Sequence, residues 1–114
     1  MDNRAISQVL AEIADLLEIR GDNAFKIRAY RTASETLATW PHAIAQLDEQ
    51  QLRAIPGIGK DLAGRIRELA ETGTAKYHQE LLEQFPPTIL DLLRLQGVGP
   101  KTVAMLHATL NIKS

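Results

Sequence analysis

The chain has 114 residues, room for one domain or two small ones sharing a surface, and combines 45% apolar with only 4% aromatic residues at a net charge of −1. The core must therefore be built from Leu, Ile and Ala, a composition that favours helix. The absence of cysteine excludes a disulfide framework and any thiolate metal site, and the near-neutral charge argues against a protein that coats nucleic acid indiscriminately. Neither a signal-peptide pattern nor a membrane-length apolar run is legible, so a soluble, intracellular, cytoplasmic all-α protein is expected, acting as a monomer.

In chain order, Ile6, Val9, Leu10, Ile13, Leu16 and Leu17 form one helical stripe, which predicts a first helix over 4–17 with Asn3 as its N-cap. Gly21 breaks the chain, and a second helix is predicted over 24–38, ending before Trp40-Pro41 because proline disfavours helix at the residue before it. A short helical turn follows in HAIAQL, and Asp48 is placed to cap EQQLRAI. The next helix, 60–71, is expected to end at a left-handed Gly73. Thr74 is the expected cap of AKYHQELLEQF, and Pro86-Pro87 ends that segment. TILDLLRL and a helix over 100–110 complete the chain, and nothing reads as a strand.

Charge is unevenly distributed. Arg20, Lys26, Arg28 and Arg31 face one acid, Asp22, and Arg53, Lys60, Arg65 and Arg67 face only Asp61. Two local basic surfaces on a neutral chain point to a site rather than a coat, with ordinary solvated helix faces as the plainer alternative.

The most informative feature is a repeat. IPGIGKDLAGRI returns as LQGVGPKTVAML at an offset of 40 residues, Gly57 onto Gly97. Leu52, Ile55, Ile58, Ala63 and Ile66 then match Leu92, Leu95, Val98, Val103 and Leu106. Each copy reads as two short helices joined by a glycine hairpin, whose middle apolar residue tucks between them. Gly59 and Gly99 precede helix N-termini, where backbone N–H groups lack intrahelical partners and the helix dipole is positive. Such an end holds anions, glycine lets a phosphodiester approach the main chain, and Lys60 and Lys101 stand beside the two hairpins. Binding of this kind reads the backbone and no base edge, so it is sequence-independent.

These two matches resemble the paired helix-hairpin-helix motifs of family X DNA polymerases, and NAFKIRAYRTASETLATWP is similar to the second helix of that family's amino-terminal lyase domain. The resemblance covers essentially the whole chain. It implies an all-α fold like the DNA polymerase beta amino-terminal domain, with residues 1–85 holding the first motif (52–66) and 86–114 the second (92–106). The catalytic palm of such a polymerase is absent from this stretch.

In that family the domain holds the 5′-phosphate of gapped or nicked DNA. The resemblance assigns phosphate contact to Lys26 and Tyr30, which share a helix face at i and i+4, and places Phe25 where a ring can stack on a base. A third family lysine is Asp61 here, with Lys60 next to it. Arg65 stands where lyase members use a Schiff-base lysine, and a guanidinium does not lose its proton. Lyase activity is therefore expected to be absent or marginal, and Arg65 is left to hold phosphate or to pair with Asp61. The resemblance also implies a monovalent cation, K+ or Na+, on the main-chain carbonyls of Arg53, Ile55 and Ile58 and of Leu93, Leu95 and Val98, with no organic cofactor. His42, His78 and His107 lack metal-ligand spacing. A module for DNA gaps and 5′-phosphate ends is the leading reading. A lyase and a protein-interaction module are the alternatives.

Overall fold

The computed structural model describes residues 1–95 and 99–113, with side chains through residue 108. Among these residues, seven α-helices and one 3₁₀ turn follow in order: α1 (Asn3–Arg20), α2 (Ala24–Ala38), the 3₁₀ turn (Ile44–Gln46), α3 (Glu49–Arg53), α4 (Lys60–Thr72), α5 (Lys76–Glu83), α6 (Pro87–Arg94) and α7 (Pro100–Lys113). No strand occurs among the described residues, and none of their helices is long and apolar enough to cross a membrane.

Helix α1 is the axis of the molecule. Ile6, Leu10, Ile13, Leu16 and Leu17 of the expected stripe are buried and Val9 is half-buried, but Ser7, Ala14 and Ile19 are buried as well, so α1 is covered on more than one face. It packs against α2, α4, α5 and α7. Most of the core is one cluster running from Ile6 to Leu81, and Ile19, Ile89 and Val103 form a smaller one between α1, α6 and α7.

Two predicted caps are corrected by the structure. Asp2, not Asn3, caps α1, accepting the Ala5 N–H at 2.7 Å. Asn3 instead makes longer-range bonds. Its Nδ2 donates to the carbonyls of Trp40 (3.2 Å) and His42 (2.7 Å), and its Oδ1 accepts the Ile44 N–H (2.9 Å). One amide thereby satisfies three backbone groups of the irregular stretch around Pro41. Thr74 does not cap α5 either. Its carbonyl and N–H are taken by the Thr72 hydroxyl (2.8 and 3.2 Å), while the N–H of Lys76 donates to Glu68 Oε2 at 2.8 Å. The left-handed turn at Gly73 (φ 80°) folds α5 back towards α4, so a side chain from the previous helix supplies the acceptor.

The other boundaries follow local chemistry. Helix α1 runs three residues past its predicted end because Gly21 (φ 81°) closes it with hydrogen bonds from Gly21 N–H to Glu18 O and Asp22 N–H to Leu17 O. Helix α2 has its predicted bounds, with the Asn23 side chain accepting the Phe25 N–H. Asp48 and Gln51 form a reciprocal capping box at α3. Pro87 opens α6 at its first turn, where no N–H is required.

Polar groups taken inside with α1 are paired. Asp15 and Glu18 meet Arg31 of α2 at 2.9 and 3.4 Å. Burial pushes the Asp15 carboxyl above its ordinary range, with Arg31 pulling against it. Glu12 accepts from Arg94 of α6 at 3.2 Å and lies 2.6 Å from Nε2 of the buried His78 of α5. Burial raises the Glu12 carboxyl, but the His78 hydrogen bond and the charges of His78 and Arg94 outweigh it and leave it below its ordinary value. An acid depressed in the folded state stabilises above its unfolded pKa, and that contribution is lost as pH falls through the folded value. Glu12→Ala is expected to cost about 1–3 kcal/mol near neutral pH by stranding His78, with the gap to wild type narrowing below the carboxylate range. Urea unfolding as a function of pH measures this, and a pH-independent gap would contradict it.

Candidate nucleic-acid interface

The first hairpin is built on Leu52, Ile55, Ile58, Ala63 and Ile66, all buried. Its two glycines have different physical reasons. Gly57 adopts φ +88°, a conformation that side chains other than glycine's resist. Gly59 is extended (φ −91°), and a Cβ built there would meet nothing within 4 Å. Nothing in the fold therefore demands a glycine at 59. It is the N-cap of α4, no side chain caps that end, and its carbonyl receives the Ala63 N–H at 2.9 Å. The first N–H groups of α4 consequently face outward over a residue with no side chain.

This end opens on a concavity of about 390 Å³ between α2 and α4. The structure brings Lys26, Tyr30, Gly57, Gly59, Lys60 and Arg65 together on its walls, and Asp61 lies there too. Lys26, Lys60 and Arg65 form no ion pair among the described residues.

Tyr30 is on the wall of the concavity and is also tied into the packing. It is only 4% exposed, and its hydroxyl accepts the Nε–H of Arg65 at 2.6 Å. Burial pushes the phenol above its ordinary value despite the opposing guanidinium. Arg65 accordingly does not pair with Asp61, because the α2–α4 packing offers a closer, part-buried acceptor. Phe25 lies outside the core, 78% exposed, with the Arg28 guanidinium 6.0 Å from its ring.

Tyr77 of α5, which nothing in the sequence singles out, packs against three of the residues that line the concavity. Arg65 Cζ lies 4.2 Å and Lys26 Nζ 4.8 Å from its ring centroid, and the Tyr30 ring stacks on it at 6.1 Å and 21°. Lys26, Arg65 and Tyr77 come from three different helices, so no local spacing announces the group.

Several cations of the two basic runs serve the fold instead. Arg20 is engaged by Asp22 and Gln84, and Arg31 by Asp15 and Glu18. Arg67 donates to the carbonyls of Ala45 and Leu47 and to Glu71. The predicted basic surfaces thus shrink towards one concavity, with Arg28 beside Phe25 and Arg53 exposed at the end of α3.

In the second copy, Gly97 and Val98 lie outside the described residues. Gly99 repeats the role of Gly59: its carbonyl accepts the Val103 N–H at 3.1 Å and a Cβ there would meet nothing within 4 Å. Lys101 is exposed in the first turn of α7, and Val103 is buried like Ala63. The equivalents of Ile55 and Ile66 are not buried, Leu95 being 55% and Leu106 42% exposed. Among the described residues, α4 packs against α1, α3 and the 3₁₀ turn, and α7 against α1 and α6.

For the cation, neither Arg53 nor Ile58 offers its carbonyl to a hydrogen bond among the described residues, and Ile55 accepts the Ile58 N–H at 3.0 Å. Main-chain oxygens of this kind suit a hard ion. Leu93 and Leu95 lie at the end of α6. No group of three His, Asp or Glu among the described residues could hold a metal. His78 is committed to Glu12, and His107 lies 5.4 Å from Phe85, edge to face.

A family model described as a helix-hairpin-helix domain matches residues 1–75. The chain is 30% identical over 112 residues to the DNA polymerase/3′-5′ exonuclease PolX of Bacillus subtilis (strain 168), covering 98% of this chain and 19% of that protein. It is 27% identical over 106 residues to DNA polymerase lambda of Arabidopsis thaliana, covering 92% of this chain and 20% of that one. The chain thus spans about a fifth of the length of these curated relatives. With an all-α fold, a glycine hairpin at 57–59 and this alignment, the chain belongs to the helix-hairpin-helix domain family and is homologous over most of its length to part of the family X DNA polymerases.

Proposed function

We propose that this chain is a sequence-independent DNA-binding module that recognises gapped or nicked DNA and its 5′-phosphate end on behalf of a family X repair polymerase, acting as a monomer in the cytoplasm. The observation that carries the reading is the uncapped α4 N-terminus at Gly59, facing a concavity with Lys26, Lys60 and Arg65 on its walls. A helix N-terminus attracts phosphate through its N–H groups and dipole, and the three cations supply charge-assisted contacts. Gly99 and Lys101 would grip the backbone at a second point, and the exposed Phe25 ring would stack on a base. Residues 1–85 and 86–114 act as the two contacting units. A K+ or Na+ ion would sit on the carbonyls of Arg53, Ile55 and Ile58, with Leu93, Leu95 and Val98 as the second set, neutralising a phosphate from the protein side.

The reading includes no lyase step. Arg65 presents a guanidinium in place of an amine and its Nε–H is given to Tyr30, so no free amine occupies that place. Borohydride treatment with DNA bearing an abasic end is expected to trap no strong covalent adduct, and a strong adduct would overturn this point.

Fluorescence anisotropy on matched gapped duplexes, one with a 5′-phosphate and one with a 5′-hydroxyl, tests the reading directly. About tenfold tighter binding to the phosphate, equivalent to about 1.4 kcal/mol, is expected. Equal binding would reduce the module to a backbone grip. Binding to neither would favour a protein-contact role, with Leu95, Met105 and Leu106 as its exposed apolar residues.

The glycines give an independent test. Gly57→Ala is expected to destabilise the fold by about 1–2 kcal/mol. Gly59→Ala should keep the wild-type Tm while weakening DNA binding severalfold. Wild-type affinity in folded Gly59→Ala would remove the close-approach role of that residue.

A further inference from the structure

We infer that Tyr77 is a positioning residue of the end-binding site, its ring holding Lys26 and Arg65 together as one preorganised receptor for a terminal phosphate of DNA. The inference rests on the phosphate-end reading and goes one residue beyond it.

Lys26 and Arg65 carry like charges on separate helices and border one concavity, and Asp61, the carboxylate on the same walls, forms an ion pair with neither among the described residues. Unassisted, two such side chains repel and spread into solvent, which raises the ordering cost of any anion they must bind together. The Tyr77 ring lies within cation–π distance of both, 4.8 Å from Lys26 Nζ and 4.2 Å from Arg65 Cζ. A ring face offsets part of the repulsion without neutralising either charge, as a carboxylate would. Both cations keep N–H groups for a phosphate, Arg65 having spent only Nε–H on Tyr30.

The ring itself is fixed. Tyr30 stacks on it, and its hydroxyl is buried with no hydrogen-bond partner among the described residues; the neighbouring Arg20 is engaged by Asp22 and Gln84. Both cations meet the ring itself, so the aromatic face is the part of Tyr77 on which the inference rests.

The test is the ratio of affinities for 5′-phosphate and 5′-hydroxyl gapped DNA in wild type, Tyr77→Phe and Tyr77→Leu, with Tm recorded for each. Tyr77→Phe should keep the wild-type ratio. Tyr77→Leu should lower it roughly three- to fivefold by weakening the 5′-phosphate duplex more than the 5′-hydroxyl one, a split that general loosening of the fold would not produce. A wild-type ratio in folded Tyr77→Leu overturns the inference while the phosphate-end reading stands. A ratio of one in wild type overturns that reading, and this inference with it. A measurement on the unaltered protein guards against a variant that fails to fold. The Lys26 ε-methylene protons should resonate upfield from the ring current and move when a 5′-phosphorylated oligonucleotide is added, but not with its 5′-hydroxyl counterpart. Ordinary solvent-exposed lysine shifts there would also overturn the inference.

Discussion

A helix that buries residues on more than one face has to be surrounded, and this requirement on α1 organises the molecule. Each Leu or Ile removed from water there stabilises the fold by about 1.5–3 kcal/mol, and the gain is realised only if α2, α4, α5 and α7 all close on the same eighteen-residue rod. Enclosure also draws in carboxylates. Glu12 and Asp15 are tolerated because α5, α6 and α2 bring His78, Arg94 and Arg31 to meet them. The packing and the electrostatics are therefore one problem, solved by the helices that surround α1.

The site inherits its geometry from that solution. Lys26 is on α2, Lys60 and Arg65 are on α4 and Tyr77 is on α5, and these helices meet only because each leans on α1. The Tyr30–Arg65 hydrogen bond then joins α2 to α4 directly. It lies along one wall of the concavity, so the contact that fixes the wall also orients the guanidinium. Under the proposed reading, little side-chain freedom would remain to be lost on binding an anion.

Much of this was legible in the residues. The helical period of Ile6 to Leu17, the proline after Trp40 and the glycine at 73 gave helix positions, and α2 has the bounds read from Asn23 and Pro41. The hairpin glycines were visible because a glycine turn is local, whereas Lys26 was singled out through the family resemblance. What escaped was long-range. Glu68 capping α5, Asn3 satisfying the chain around Pro41, and Arg31 and Arg67 being spent on structure all depend on partners brought near only by folding. Tyr77 escaped for the same reason: in sequence it is one aromatic on an amphipathic helix, and its meaning comes from two cations on other helices.

Gly57 and Gly59 stand two residues apart in one hairpin, yet mutation would meet them under different rules. Gly57 is held by torsion, so a replacement would cost fold stability whatever the protein is doing. Gly59 has open space where a side chain would go, so folding alone offers it no protection. In a lineage that stopped using this face, Gly59 would drift to other residues while Gly57 stayed. Within this one hairpin, the first position would report on the fold and the second, if the proposed contact exists, on whatever touches it.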